Sequence, residues 1–211
     1  SQKLDWEKLD AVSFSWQKVL GGEGGHGVIV LSPNAIRRLS TFYPERPIPK
    51  IFRLVKNGKL IEGVYEGETL NTPSMFCVAD ALDSLKWIKE IGGLKETIRR
   101  SDKNFECLQG WVDQTPWIEN LVSDPTNRSN TSVCLKFSDK RIVSLNKDEQ
   151  THFVKKFVEL LEAENAAFDI KGHRNAPPGL RIWCGATVDL DDIHNLLPWL
   201  DWCFQEIIST Y

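Results

Sequence analysis

In residues 15–33, SWQKVLGGEGGHGVIVLSP, an aromatic and a glutamine precede Lys18, and glycines follow it closely. Three uses fit those residue types: a phosphate cradle, a covalent amine, or a turn between strands. A Walker loop needs its glycines ahead of the lysine, so that backbone amides wrap the phosphates before a helix opens. Here Lys18 precedes Gly21 and Gly22, and the run leads into GVIVLS, which reads as a strand. A dinucleotide fingerprint fails on the same ground, because its glycines must also open a helix. The amine remains. Packed among Phe14, Trp16, Val19 and Leu20, Lys18 is expected to be buried, which favours the neutral amine that condenses with an aldehyde to a Schiff base. The glycines beyond it let backbone and ligand approach closely. Taken alone, a solvated strand end explains Lys18 more simply.

Two further groups could bind anions. NTPS, with Asn71, Thr72 and Pro73, reads as a helix entry offering an amide, a hydroxyl and backbone N–H groups. Such an entry suits a phosphate, and equally suits a plain N-cap. In GHRNAPPGLR, His173, Arg174 and Arg181 cluster ahead of an apolar strand. The planar fork of arginine matches carboxylate and phosphate with two parallel hydrogen bonds. An ordinary charged loop accounts for His173 as well, but less readily for Arg181 inside GLRIWCG. His26, His152 and His194 have no partner at metal-ligand spacing, so no metal site is expected.

These residues must be positioned by alternating elements. AVSFSW reads as a strand with Val12, Phe14 and Trp16 on one face, and GVIVLS as a buried strand. Ser32 and Pro33 open a short helix. Residues 41–74 show no sustained period, which in a compact domain points to function. A helix follows from Ser74 to Gly92-Gly93, with Val78, Leu82, Leu85 and Ile88 at helical spacing, then another carrying Leu94, Ile98, Phe105 and Leu108. Beyond Trp117, SVCLKF, AFDIK and GLRIWCG read as strands. KDEQTHFVKKFVELLEAEN is an amphipathic helix with Phe153, Phe157, Leu160 and Leu161 inward. A last helix follows Asp189, with Ile193, Leu197, Leu200 and Phe204 on one face and a kink expected at Pro198.

Composition sets outer limits. The 211 residues, 41% apolar, supply one large core or two modest lobes. A net charge of −3 argues against a general nucleic-acid surface. No apolar run approaches the roughly 20 residues of a membrane span, and no signal-peptide pattern opens the chain. Five scattered cysteines read as free thiols in a reducing, cytoplasmic setting.

FSWQKVLGGEGGHGVIVLS, EGETLNTPSM, RSNTSVCLKF and HRNAPPGLRIWCGATV occur in this order across the chain. Together they resemble the phosphoserine aminotransferases, in the class V group of fold-type I pyridoxal-phosphate enzymes. The resemblance implies an α/β fold: residues 1–115 as the C-terminal part of the cofactor-binding large domain with a linking helix, and 116–211 as the small α/β domain. It implies that Lys18 carries pyridoxal 5′-phosphate and that Gln17 reaches the cofactor phosphate. Asn71 and Thr72 then reach the phosphate of the partner's cofactor across a homodimer interface. Arg181 holds the substrate α-carboxylate, while His173 and Arg174 help hold the substrate phosphate from the other subunit. The link NAPPG is longer than in some members of the family. The implied reaction moves an amino group from glutamate to 3-phosphohydroxypyruvate, giving phosphoserine for serine biosynthesis.

Relatives in this family place the aspartate that pairs with the pyridinium nitrogen, a stacking aromatic and a Gly-rich phosphate loop ahead of the stretch matching DWEKLD. The chain is therefore expected to correspond to the C-terminal part and to be inactive alone. Within class V, alanine–glyoxylate transaminase and cysteine desulfurase are the enzymatic alternatives. A catalytically inactive binding or dimerisation piece is the other.

Overall fold

The computed structural model describes residues 2–211, which form two compact units, Lys3–Glu90 and Ile91–Tyr211.

In the first unit, β1 (Ala11–Ser15) pairs antiparallel with β2 (Gly27–Leu31), Val12 opposite Val30 and Phe14 opposite Val28. Ser32 then caps α1 (Pro33–Thr41): its hydroxyl accepts the Ala35 amide at 3.1 Å, and Pro33 sits where a missing N–H costs nothing. The aperiodic stretch that follows holds a small hairpin, β3 (Val55–Lys56) and β4 (Lys59–Leu60). Its two turn residues, Asn57 and Gly58, both take positive φ, 52° and 74°, the geometry that Asn-Gly turns favour. α2 (Met75–Ile91) closes the unit.

Two expectations fail here. β2 is not buried, since Ile29 is 50% exposed and Val30 39%, and Phe14 on β1 is 43% exposed. A two-stranded hairpin has too few neighbours to cover both faces of an apolar strand. On α2, Leu82 and Leu85 are exposed, and Ala81 is the buried position among the described residues.

The second unit is better packed. α3 (Gly93–Gln114) opens at Gly92 and Gly93, both at positive φ, 118° and 73°. β5 (Ile118–Asn120), β6 (Ser132–Phe137), the short α4 (Lys140–Val143), α5 (Lys147–Ala163), β7 (Leu180–Trp183) and α6 (Leu190–Ile208) complete it. The sheet runs β5-β6-β7, antiparallel throughout. Burial alternates strictly along β6 and β7, so one face meets the helices and the other carries Cys134, Lys136, Arg181 and Trp183. α3, α5 and α6 close over the inner face around Trp117, Phe153, Phe157 and Phe204. Trp117 lies flat on Phe204, with ring centroids 4.2 Å apart and planes 5° apart. α5 begins with the expected amphipathic stretch, fixed by a capping box between Asn146 and Glu149.

AFDIK is not a strand. Only Lys171 forms a bridge, to Leu180, and Ile118–Asn120 supplies the third strand instead. On α3 the buried stripe is Thr97, Ser101, Asn104, Leu108 and Val112, while Leu94 is 55% exposed. Asn104 in this stripe has a polar neighbour, the backbone of residues 184–188, described below. α6 runs unbroken through Pro198 to Ile208, so the proline does not end it.

Candidate functional site

Lys18 stands at the tip of β1. The strand's last pairing is extended by the Trp16 amide donating to the His26 carbonyl at 3.2 Å, with the Ser15 hydroxyl reaching the same oxygen at 3.3 Å. Residues Lys18–Leu20 then form one 3₁₀ turn, closed by the Gly21 amide on the Lys18 carbonyl at 2.9 Å. Its base is pinched by the Gly22 amide on the Trp16 carbonyl, also at 2.9 Å. Inside this turn Lys18 has φ 65°, a left-handed conformation that costs a residue with a Cβ about 1–2 kcal/mol. Such strain persists only where the surroundings hold it, and it gathers at functional sites.

The glycines have steric reasons. A Cβ on Gly22 would lie 2.9 Å from the Trp16 carbonyl oxygen, and one on Gly24 would collide with the side-chain amide of Gln17. The Gln17 amide therefore lies over the glycine loop, against Gly24. The first turns of α2 support this loop: the Asp80 carboxylate accepts the Glu23 amide at 3.2 Å, and Cys77 Sγ lies 3.9 Å from where a Gly25 Cβ would be. Asp80 carried no signal in the sequence, because its partner is a backbone amide 57 residues away.

The expected burial of Lys18 does not occur; the side chain is exposed. Residues 18–20 curl into a turn at the strand tip rather than continuing among the apolar side chains of β1. Asn71 and Thr72 are also exposed and precede α2. The helix entry does not use them as caps. Ser74 does that work, its hydroxyl accepting the Cys77 amide at 3.4 Å and its carbonyl the Val78 amide at 3.2 Å.

The basic group lies in the second unit. β7 presents Arg181 on the outer face of the sheet, with Cys134 of β6 opposite it in register. The Arg181 amide donates to the Ile170 carbonyl at 2.7 Å, and the Gly172 amide to the Gly179 carbonyl at 2.8 Å. Residues 172–179 thus form a clipped loop whose ends meet at β7. His173 and Arg174 are exposed on that loop, and His173 organises it, accepting the Ala176 amide on its carbonyl at 2.8 Å and the Asn175 amide on Nδ1 at 3.2 Å. The loop carries His173 and Arg174, and Arg181 follows it on β7. The Arg181 guanidinium faces the Asp169 carboxylate at 3.5 Å, a partner not foreseen from the sequence.

Behind β7, α3 grips the loop leading into α6. Asn104, 1% exposed, donates its amide to the carbonyls of Val188 at 2.9 Å, Gly185 at 3.4 Å and Cys184 at 3.5 Å. Arg100 Nε donates to the Ala186 carbonyl at 2.7 Å, and its Nη2 pairs with the Asp189 carboxylate. Gly185 is required there, because a Cβ would lie 2.5 Å from the Trp183 indole. Burial pushes the Cys184 thiol up to about 12, with nearby Cys107 adding to the shift, so it behaves as a neutral core group. All five cysteines are free.

The architecture is an α/β fold in two compact units. Chains of two phosphoserine aminotransferase structures superpose on it, one from Bacillus circulans subsp. alkalophilus (TM-score 0.71, 21% identity, 96% of this chain and 49% of that one) and a PLP-bound one from Trichomonas vaginalis (TM-score 0.71, 21% identity, 94% and 49%). At that identity the likeness shows the fold. The sequence goes further: along 202 residues, 96% of its length, the chain is 45% identical to the phosphoserine aminotransferase of Methanosarcina mazei and is a homologue of that enzyme. The chain spans about half the length of the curated relatives it matches, 52% of the M. mazei protein. No protein-family model matches it.

Proposed function

We propose that this chain forms part of a pyridoxal-phosphate-dependent phosphoserine aminotransferase, moving the amino group of glutamate to 3-phosphohydroxypyruvate in serine biosynthesis. The observation that carries this reading is Lys18 at φ 65°, an amine held in strained backbone at a strand tip and framed by glycines. Homology at 45% to an enzyme of that name favours it over the other class V activities.

The residues present fit a phosphorylated aldehyde. Lys18 offers an exposed amine, and the Gln17 side-chain amide, packed against Gly24 of the following loop, offers a hydrogen-bond donor. Bound there, pyridoxal phosphate supplies the electron sink for carbon–hydrogen bond cleavage. Lys18 Nζ holds the cofactor aldehyde and afterwards takes and returns the proton on the substrate carbon. Gln17 orients the cofactor phosphate, and Asn71 and Thr72, spared from capping α2, serve the phosphate of the partner's cofactor. Arg181 takes the substrate α-carboxylate through its fork, with His173 and Arg174 directed to the substrate phosphate of the other subunit. Within this reading the protein is a cytoplasmic homodimer with shared sites. Residues 1–115 and 116–211 are its cofactor-binding part with the linking helix α3 and its small domain. The activity belongs to the protein in which these residues work with the segment that pairs with the pyridinium nitrogen.

The test is reduction of the cofactor-loaded protein with borohydride, followed by peptide mapping. The label is expected on Lys18, with glutamate and 3-phosphohydroxypyruvate turned over before reduction and not after. A label on another lysine overturns the reading.

A further inference from the structure

We propose that Asp169 is a resident counter-ion of Arg181, occupying the guanidinium until an incoming substrate carboxylate replaces it, and so lowering the affinity of the site for anionic substrates. The proposal rests on the reading of Arg181 as the carboxylate-binding residue.

The geometry begins with the backbone. The Ile170 carbonyl accepts the Arg181 amide at 2.7 Å and Lys171 bridges Leu180, so residues 169–171 run along the edge of β7. Asp169 enters this pairing at φ 52°, the left-handed region that Asn, Asp and Gly tolerate best. The backbone demand would be met by Asn or Gly. Only the carboxylate of Asp169 is surplus to it, and that carboxylate stands 3.5 Å from Arg181 Nη2.

This is the kind of pair a ligand can displace. Asp169 is 91% exposed and the Arg181 side chain 33%. At 3.5 Å the contact is longer than the about 2.7–2.9 Å of a strong charge-assisted hydrogen bond, and exposed pairs of this kind are weak. A diffusing carboxylate has no backbone tether and can meet both nitrogens of the fork in plane. The neighbouring cation on the same face, Lys136, is paired with Glu119 at 2.9 Å. The anion that a substrate must displace from Arg181 is therefore Asp169.

Asp169→Asn keeps the left-handed backbone and removes the charge alone. In the pyridoxal-phosphate-loaded protein, the labelling of Arg181 by phenylglyoxal can be followed by peptide mass mapping. Glutarate serves as the competing carboxylate, because it has the length of glutamate and no amine to react. We expect Asp169→Asn to label at Arg181 faster than wild type, and the half-protecting glutarate concentration to fall about threefold. Both differences should shrink in 1 M salt (about a 3 Å Debye length), which screens exposed charges. Protection at an unchanged concentration would leave Arg181 as the carboxylate site and overturn the competition. A higher half-protecting concentration would also overturn it, by showing that Asp169 orients Arg181. If glutarate protects Arg181 in neither protein, the reading of Arg181 itself falls.

Discussion

The amide of Glu23 donates to the carboxylate of Asp80 at 3.2 Å, tying the glycine loop after Lys18 to the first turns of α2. Asp80→Ala should release this tether. We expect the Glu23 amide to exchange with deuterium faster while the α2 amides keep their protection, at a stability cost of about 1 kcal/mol. Cofactor affinity, measured by titration of pyridoxal phosphate, should fall with it. Gly22→Ala attacks the same loop from its other side, placing a Cβ 2.9 Å from the Trp16 carbonyl oxygen, and should weaken cofactor binding further.

Strain at Lys18 predicts a separation of stability from function. Lys18→Gly removes the Cβ that the left-handed φ of 65° penalises. It should be at least as stable as wild type, by up to about 1 kcal/mol after the greater unfolded-state freedom of glycine is counted. Lys18→Ala keeps the penalty and should gain nothing. Both variants should lose the borohydride label at this position. Urea denaturation of the three proteins, run in parallel, compares the stabilities directly.

Asn104 holds three carbonyls from a position that is 1% exposed. Asn104→Ala leaves them without that donor and should cost about 1–3 kcal/mol. Asn104→Asp should cost more, because an ionised carboxylate has no hydrogen to give and would face carbonyl oxygens in a buried place. The midpoint of urea unfolding reports both.

Burial raises the thiols of Cys184 and Cys203 from their ordinary 9.0 to about 12. Between about pH 9 and 12 the unfolded chain therefore loses protons that the folded chain keeps. Because the unfolded state binds fewer protons there, stability falls as pH rises, and the contribution is fully present below pH 9. The urea midpoint should drop across that window, by less in Cys184→Ala once its lower starting stability is subtracted. At pH 8 both thiols should resist iodoacetamide until the chain unfolds.

The sequence by itself determined the elements whose signals are local. Ser32-Pro33 opens α1, Asn146 and Glu149 open α5, and the alternation of SVCLKF and GLRIWCG defines β6 and β7. Capping and period-two burial involve residues within a few positions of each other, so the chain announces them. Lys18 and Arg181 stood out by residue type, but their uses and that of Gln17 came from the resemblance carried by four collinear motifs. What tertiary structure decided is whatever depends on a distant partner. AFDIK has strand-like composition, yet its backbone pairs with β7 only through Ile170 and Lys171, while Ile118–Asn120 takes the sheet edge. Asn104 is buried on α3 because it meets backbone carbonyls of residues 184–188, and a hydrophobic count along the helix cannot see them. The strain at Lys18, the Asp80 tether and the Asp169–Arg181 pair arise from loop closure. Loop closure depends on where the rest of the chain brings two segments together, and residue type fixes only which contacts form once they meet.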